Sequence, residues 1–108
     1  MTKKTLKIID STLKDIKALD TKTLNLKKIN SFTDTLLITS GSSSTHISAI
    51  SNKLVRELKK NKIEILSLEG KSSSDWVLLD LGDIVINIMS ISARKYYDLE
   101  SLWDDSLA

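Results

Sequence analysis

Apolar positions along the chain recur with two periods, and the switches between them outline a fold. From Lys4 to Leu19 the residues Leu6, Ile9, Leu13 and Ile16 fall three or four apart, which places them on one face of a helix. Asp20 to Lys22 is polar and predicts a turn. Beyond it Leu24 and Leu26 alternate with Thr23, Asn25 and Lys27, the period of a strand. Thr35 to Ser40, preceded by Phe32, is a β-branched and apolar run that predicts a mostly buried strand. The polar stretch Gly41-Ser42-Ser43-Ser44-Thr45 then opens a second helix. Ile47, Ile50, Leu54, Val55 and Leu58 form its apolar stripe, Ser43 is its expected N-cap, and Lys59-Lys60-Asn61 closes it. Ile63, Ile65, Leu66 and Leu68 predict a further strand, and Glu69 to Ser74 a polar loop.

The segment Asp75 to Met89, DWVLLDLGDIVINIM, contains no Lys or Arg and is central to the pattern. Trp76 to Leu79 and Ile84 to Met89 are short and rich in Val, Ile and Leu, as strands are. Between them Asp80-Leu81-Gly82-Asp83 predicts a hairpin turn, because glycine adopts a positive φ without steric cost and aspartate tolerates turn geometry. Leu81 stands out, since an apolar side chain at a turn tip is expected to meet water. Ser90 or Ser92 is expected to cap a last helix over Ala93 to Asp98. The bulky tail Tyr96-Tyr97-Asp98-Leu99-Glu100-Ser101-Leu102-Trp103 is expected to dock on the sheet. The expected order is helix, strand, strand, helix, strand, strand, strand, helix, an α/β chain.

Composition narrows the class. At 108 residues, 41% hydrophobic and 28% charged, the chain is expected to form a single soluble domain over residues 1–108. With no cysteine it has neither disulfides nor thiolate metal sites. No apolar run approaches the roughly 20 residues that cross a bilayer. The first residues, MTKKTLKIIDSTLKDIK, lack a signal-peptide pattern, so a cytoplasmic location is expected. The net charge of +2 conceals a division: residues 1–62 carry thirteen Lys and Arg against five acids, and residues 63–108 carry three against nine. Such a gradient argues against a uniformly basic nucleic-acid binder and leaves room for an acidic face that meets a basic partner.

Few residue patterns in the chain suggest chemistry. Gly41-Ser42, after a strand and before a helix, could cradle a phosphate on free backbone N–H groups. Nucleotidyl transfer also needs carboxylates that hold a divalent metal, and no closely spaced acidic pair follows. A capped helix start with small residues is the simpler reading. His46 is the only histidine, and a capping or packing role is preferred over catalysis. No serine lies in a G-x-S-x-G elbow. Arg94 and Lys95 beside Tyr96 and Tyr97 could stack nucleotides, although the nearby acids would repel a phosphate backbone. No catalytic residue, metal or cofactor is assigned, and the chain is not expected to be an enzyme.

Taken together, Phe32-Thr33-Asp34, Gly41-Ser42-Ser43-Ser44-Thr45-His46, Glu69-Gly70, DWVLLDLGDIVINIM and YYDLESLW resemble the ribosomal silencing factor family, also called the Iojap family. The resemblance spans nearly the whole chain, and WVLLDLGD with YYDLESLW is its most specific part. Two positions depart from the family pattern, Thr45 where a basic residue is usual and Asn87 where a histidine is usual.

The resemblance implies a mixed sheet of about five strands flanked by helices, related to nucleotidyltransferases but without their catalytic acids. It also implies a translational repressor that binds the large ribosomal subunit at its L-fourteen protein and blocks joining of the small subunit when nutrients are short. Homodimers are common in such a family. Ribosomal proteins are basic because they neutralise RNA, so an acidic patch suits docking on one. The acidic half contains the hairpin. Trp76 and Leu81 are therefore the expected apolar anchors, with Asp75, Asp80 and Asp83 as charge partners. A large-subunit assembly factor and a nucleotidyltransferase-like enzyme are the alternatives.

Overall fold

The computed structural model describes residues 2–26, 33–70 and 75–102. Lys27 of the expected first strand, Phe32, the loop residues 71–74 and Trp103 of the expected tail lie outside them. Chain order is α1 (Thr2–Asp15), β1 (Leu19–Asn25), β2 (Thr35–Gly41), α2 (Ser44–Lys60), β3 (Ser67–Glu69), β4 (Trp76–Asp80), β5 (Ile84–Ser90), α3 (Ile91–Tyr97) and α4 (Leu99–Leu102). The strands form one five-stranded sheet in the order β1-β2-β5-β4-β3. Only β2 and β5 pair in parallel; the other three pairings are antiparallel. The expected mixed sheet flanked by helices is therefore the architecture.

The two faces of the sheet are covered unequally. On one, Ile9 and Leu13 of α1 and Ile47, Ile50, Leu54 and Leu58 of α2 pack on Leu37, Val77, Leu79, Ile84, Ile86 and Ile88, and all are buried. These are the stripes that the helical spacing picked out. On the other, a smaller cluster gathers Leu26, Leu36, Ile38 and Met89 beneath Ala93 of α3, with Leu24, Trp76, Val85 and Leu99 half-buried around it. Because β2 is buried on both faces, each of its residues from Thr35 to Gly41 is buried, which explains its unalternating sequence.

Three local features depart from expectation. The turn predicted at Asp20 to Lys22 falls inside β1, where the register against β2 shifts between Leu19 and Lys22 and Asp20 takes a φ of 46°. That is the geometry of a bulge rather than of a reversal. The strand expected from Ile63 shrinks to Ser67–Glu69, because Ile63 is needed to close α2. Its N–H bonds the Leu58 carbonyl at 2.9 Å while the Lys62 N–H bonds that of Lys59 at 3.0 Å, the Schellman pattern, with Lys62 left-handed at φ 60°. The end of α1 repeats it: Ala18 bonds Leu13, Lys17 bonds Lys14, and Lys17 has φ 58°. Lysine occupies both positions where glycine is usual, so the sequence carried no signal for these caps.

Candidate docking surface

The hairpin of β4 and β5 carries every residue predicted to dock, and its register runs from Trp76 opposite Met89 to Asp80 opposite Val85. At the turn end, Gly82 adopts φ 93° and its N–H donates to the Asp80 carboxylate at 2.8 Å. The Leu81 N–H donates to the Ile84 carbonyl at 2.9 Å. The Asp83 carbonyl accepts from the N–H groups of Asp34 and Thr35 at 3.1 and 3.0 Å, fastening the turn to the start of β2. The Asp80 carboxylate is therefore partly committed to the turn, whereas the Asp83 side chain is exposed.

Leu81 is not the solvent-facing tip that the sequence suggested. It is half-buried against the larger core and lines a cavity of about 240 Å³ with Thr5, Ile63 and Ile84. The turn projects Leu81 back toward α1 because its position after Asp80 puts it on the same sheet face as Val77 and Leu79. The large apolar side chain that meets water here is Leu66, 58% exposed, which lies over Gly82.

The other end is aromatic. Trp76 is half-buried on the thinner face of the sheet, and its indole N–H donates to the Asn87 side-chain carbonyl at 2.8 Å. Asn87 is itself only 2% exposed, so this bond fixes the ring from below. Tyr97 packs on Trp76 with centroids 4.9 Å apart, and Tyr96 meets Tyr97 edge-on at 5.0 Å. The two tyrosines were expected to dock on the sheet; instead Tyr97 is 53% and Tyr96 81% exposed. Ile91, 59% exposed, belongs to the same helix. Asp75 is exposed beside Trp76 and its carbonyl accepts the Ser90 N–H at 2.8 Å. Ser90 caps α3 through a bond from the Ala93 N–H at 3.0 Å, as one of the two expected serines.

The five candidates thus divide. Asp80, Leu81 and Asp83 share the turn, while Asp75 and Trp76 lie at the far end of β4, roughly 17 Å away at about 3.4 Å per residue. Trp76 and Leu81 also belong to opposite faces, since their spacing along the strand is odd.

The remaining candidate site is the Gly41–Ser44 loop. Ser43 caps α2 as expected, accepting from the His46 N–H at 3.1 Å. A Cβ on Gly41 would lie 2.7 Å from Ile47 Cγ1, so only glycine lets strand and helix approach here. His46 serves as a strut: its Nδ1 accepts the Ser42 N–H at 2.8 Å, which leaves Nε2 to donate to the Ile16 carbonyl at 2.8 Å. The imidazole ties the β2–α2 loop to the end of α1 and has both ring nitrogens engaged. Among the described residues no group of three or more His, Cys, Asp or Glu side chains could hold a metal ion.

A family model described as "Ribosomal silencing factor during starvation" matches residues 1–107. The chain belongs to that family. A ribosomal silencing factor of Haemophilus influenzae is 38% identical over 92 residues, covering 85% of this chain and 90% of its own. A crystal structure of a Chromobacterium violaceum protein superposes with a TM-score of 0.90 at 34% identity, covering 94% of this chain and 84% of that one. The mouse protein named "Mitochondrial assembly of ribosomal large subunit protein 1" is 38% identical over 85 residues, 71% of this chain and 37% of its own. Among the described residues of this chain, no helix is long and apolar enough to cross a membrane.

Proposed function

We propose that this silencing factor represses translation by binding the large ribosomal subunit at its L-fourteen protein and excluding the small subunit by its bulk, with no bond made or broken. The observation that carries the reading is the aromatic cluster. Trp76, held by Asn87, supports a half-exposed Tyr97 and an exposed Tyr96. Exposed tyrosines on a rigid tryptophan are the residue types that dominate protein interfaces, because they bury large area with little loss of rotamer freedom. Asp75 supplies a carboxylate at the rim of this cluster. Asp80 and Asp83 at the turn end add negative potential that steers the domain toward a basic ribosomal protein and away from bare phosphate. Leu81 supports the turn from beneath and Leu66 offers apolar surface beside it.

The test is cosedimentation with isolated large subunits, followed by subunit joining at saturating protein. Binding with a reduced yield of joined ribosomes is the expected result; normal joining at saturation overturns the reading. The name of the mouse relative favours a second role in large-subunit assembly. That role predicts accumulation of immature large subunits in cells depleted of this protein, under growth conditions where joining is unaffected.

A further inference from the structure

The two charge classes that the sequence separates by position are also separated by layer. Helices α1 and α2 hold eight Lys and Arg against three Asp and Glu, whereas the rest of the chain holds eight against eleven. Both helices bury their apolar faces against the sheet, so their cations lie on the outside of the molecule. Lys3, Lys7 and Lys14 of α1 and Arg56, Lys59 and Lys60 of α2 are all exposed. Among the described residues, none of the six makes an ion pair with a carboxylate. Among the described residues these six charges are left without a carboxylate partner, which is where an anionic partner gains most.

We propose that the outer face of α1 and α2 is a second binding surface, which takes the phosphate backbone of RNA without reading its sequence. Three observations select that occupant. On α1 the cations run from Lys3 to Lys14, about 16 Å at about 1.5 Å per residue, and α2 adds a second row from Arg56 to Lys60, the shape of an extended polyanion rather than of a single phosphate. A membrane-surface helix needs apolar residues beside its cations, yet the exposed large apolar residues among those described are Leu66, Ile91, Tyr96 and Tyr97, none of them on α1 or α2. Finally, the exposed acids among the described residues outside α1 and α2, Asp20, Glu64, Glu69, Asp75, Asp83 and Asp98, come from six separate strands, turns and loops and offer a second copy no matching row. The choice of RNA as the polyanion rests on the ribosomal reading above, while the cationic layer stands without it. The domain would then bridge protein and RNA on one subunit, aromatic end to protein and helical layer to phosphate.

Asp10 gives the proposal a second direction. It lies on the same helical stripe as Lys3, Lys7 and Lys14, at intervals of three and four residues, and is exposed. Asp10→Asn should therefore tighten RNA binding.

The experiment measures binding of the full chain to a labelled RNA duplex over a series of salt concentrations. The parent should bind at low salt with a steep dependence. Reversing Lys7, Lys14, Arg56 and Lys60 to Glu should weaken binding by at least about tenfold and flatten the log–log salt slope by up to roughly 3.6, at about 0.9 per phosphate contact. These positions are exposed, so an unchanged melting temperature establishes that the variant is folded, and it should still bind isolated L-fourteen protein. A parent that fails to bind the duplex at low salt, or a reversed variant that binds it equally well, overturns the inference even if large-subunit binding is intact. Duplex binding without any binding to large subunits overturns the ribosomal reading and leaves the cationic surface standing. Tighter binding to phosphatidylglycerol vesicles than to the duplex overturns the RNA assignment in favour of a membrane surface. Salt-sensitive self-association that the reversal abolishes, without RNA binding, overturns it in favour of a second copy.

Discussion

The two ends of the β4–β5 hairpin are built from the same kind of strand sequence and solve opposite problems. At the turn end the fold uses its polar groups internally, apart from the exposed Asp83 carboxylate: Asp80 caps the Gly82 N–H, the Asp83 carbonyl holds β2, and Leu81 packs beneath the turn. At the other end a buried polar group does the reverse. Asn87 spends its side-chain carbonyl on the Trp76 indole and so holds an aromatic stack partly in solvent. The difference teaches that exposure follows from which face a residue is given and what covers that face, not from how near it lies to a turn. The face beneath the turn is covered by α1 and α2, and among the described residues the face beneath Trp76 carries the short helix α3 and its neighbours.

The comparison breaks most visibly at Leu81. Leu81→Asp places a carboxylate in a half-buried apolar site and should cost about 3 kcal/mol of stability in urea denaturation. If stability is unchanged, the turn end is not packed as described, and Leu81 returns as a docking residue. Replacing Tyr96 and Tyr97 together by Ala should have the converse outcome. Affinity for large subunits should fall by about 2 kcal/mol, roughly thirtyfold, with stability altered by less than about 1 kcal/mol. A loss of stability with unaltered affinity would mean that the aromatic end is part of the core.

Smaller changes sharpen the same contrast. Trp76→Phe removes the indole N–H and leaves the Asn87 carbonyl without its donor at a site 2% exposed, which should cost about 1 to 2 kcal/mol. A double-mutant cycle with Asn87→Ala should recover most of that as coupling, and a vanishing coupling would remove Asn87 as the support of the stack. Lys62→Gly relieves a left-handed residue beside the turn-end cavity and should stabilise the fold by roughly 0.5 to 1 kcal/mol without changing subunit binding. Destabilisation instead would show that the lysine side chain, and not its backbone, holds that corner.

Much of the fold was legible because period and burial agree. The helix stripes at Leu6 to Ile16 and Ile47 to Leu58, the buried strand at Thr35 and the hairpin all fall where the pattern put them, and Ser43 and Ser90 cap as short hydroxyl side chains do. The failures share a cause. Ile63 reads as strand and closes a helix, and Asp20 reads as turn and forms a bulge, because lysine and aspartate sit left-handed at φ 58°, 60° and 46° where no glycine marks the place. The Asn87–Trp76 bond links residues eleven apart across a strand pair, so no local pattern reveals it.

By itself, the sequence determined the order of helices and strands, the division of charge, the position of the turn and the family. These depend on local spacing and on residue types, which the chain carries in one dimension. Only the tertiary structure decided that Leu81 is packed, that Tyr96 and Tyr97 are exposed, that Trp76 and Leu81 belong to different faces, and that the cations of α1 and α2 lie on the outside of one layer. Each of these depends on which face of the sheet the long helices cover, and that choice is made by contacts between segments far apart in the chain.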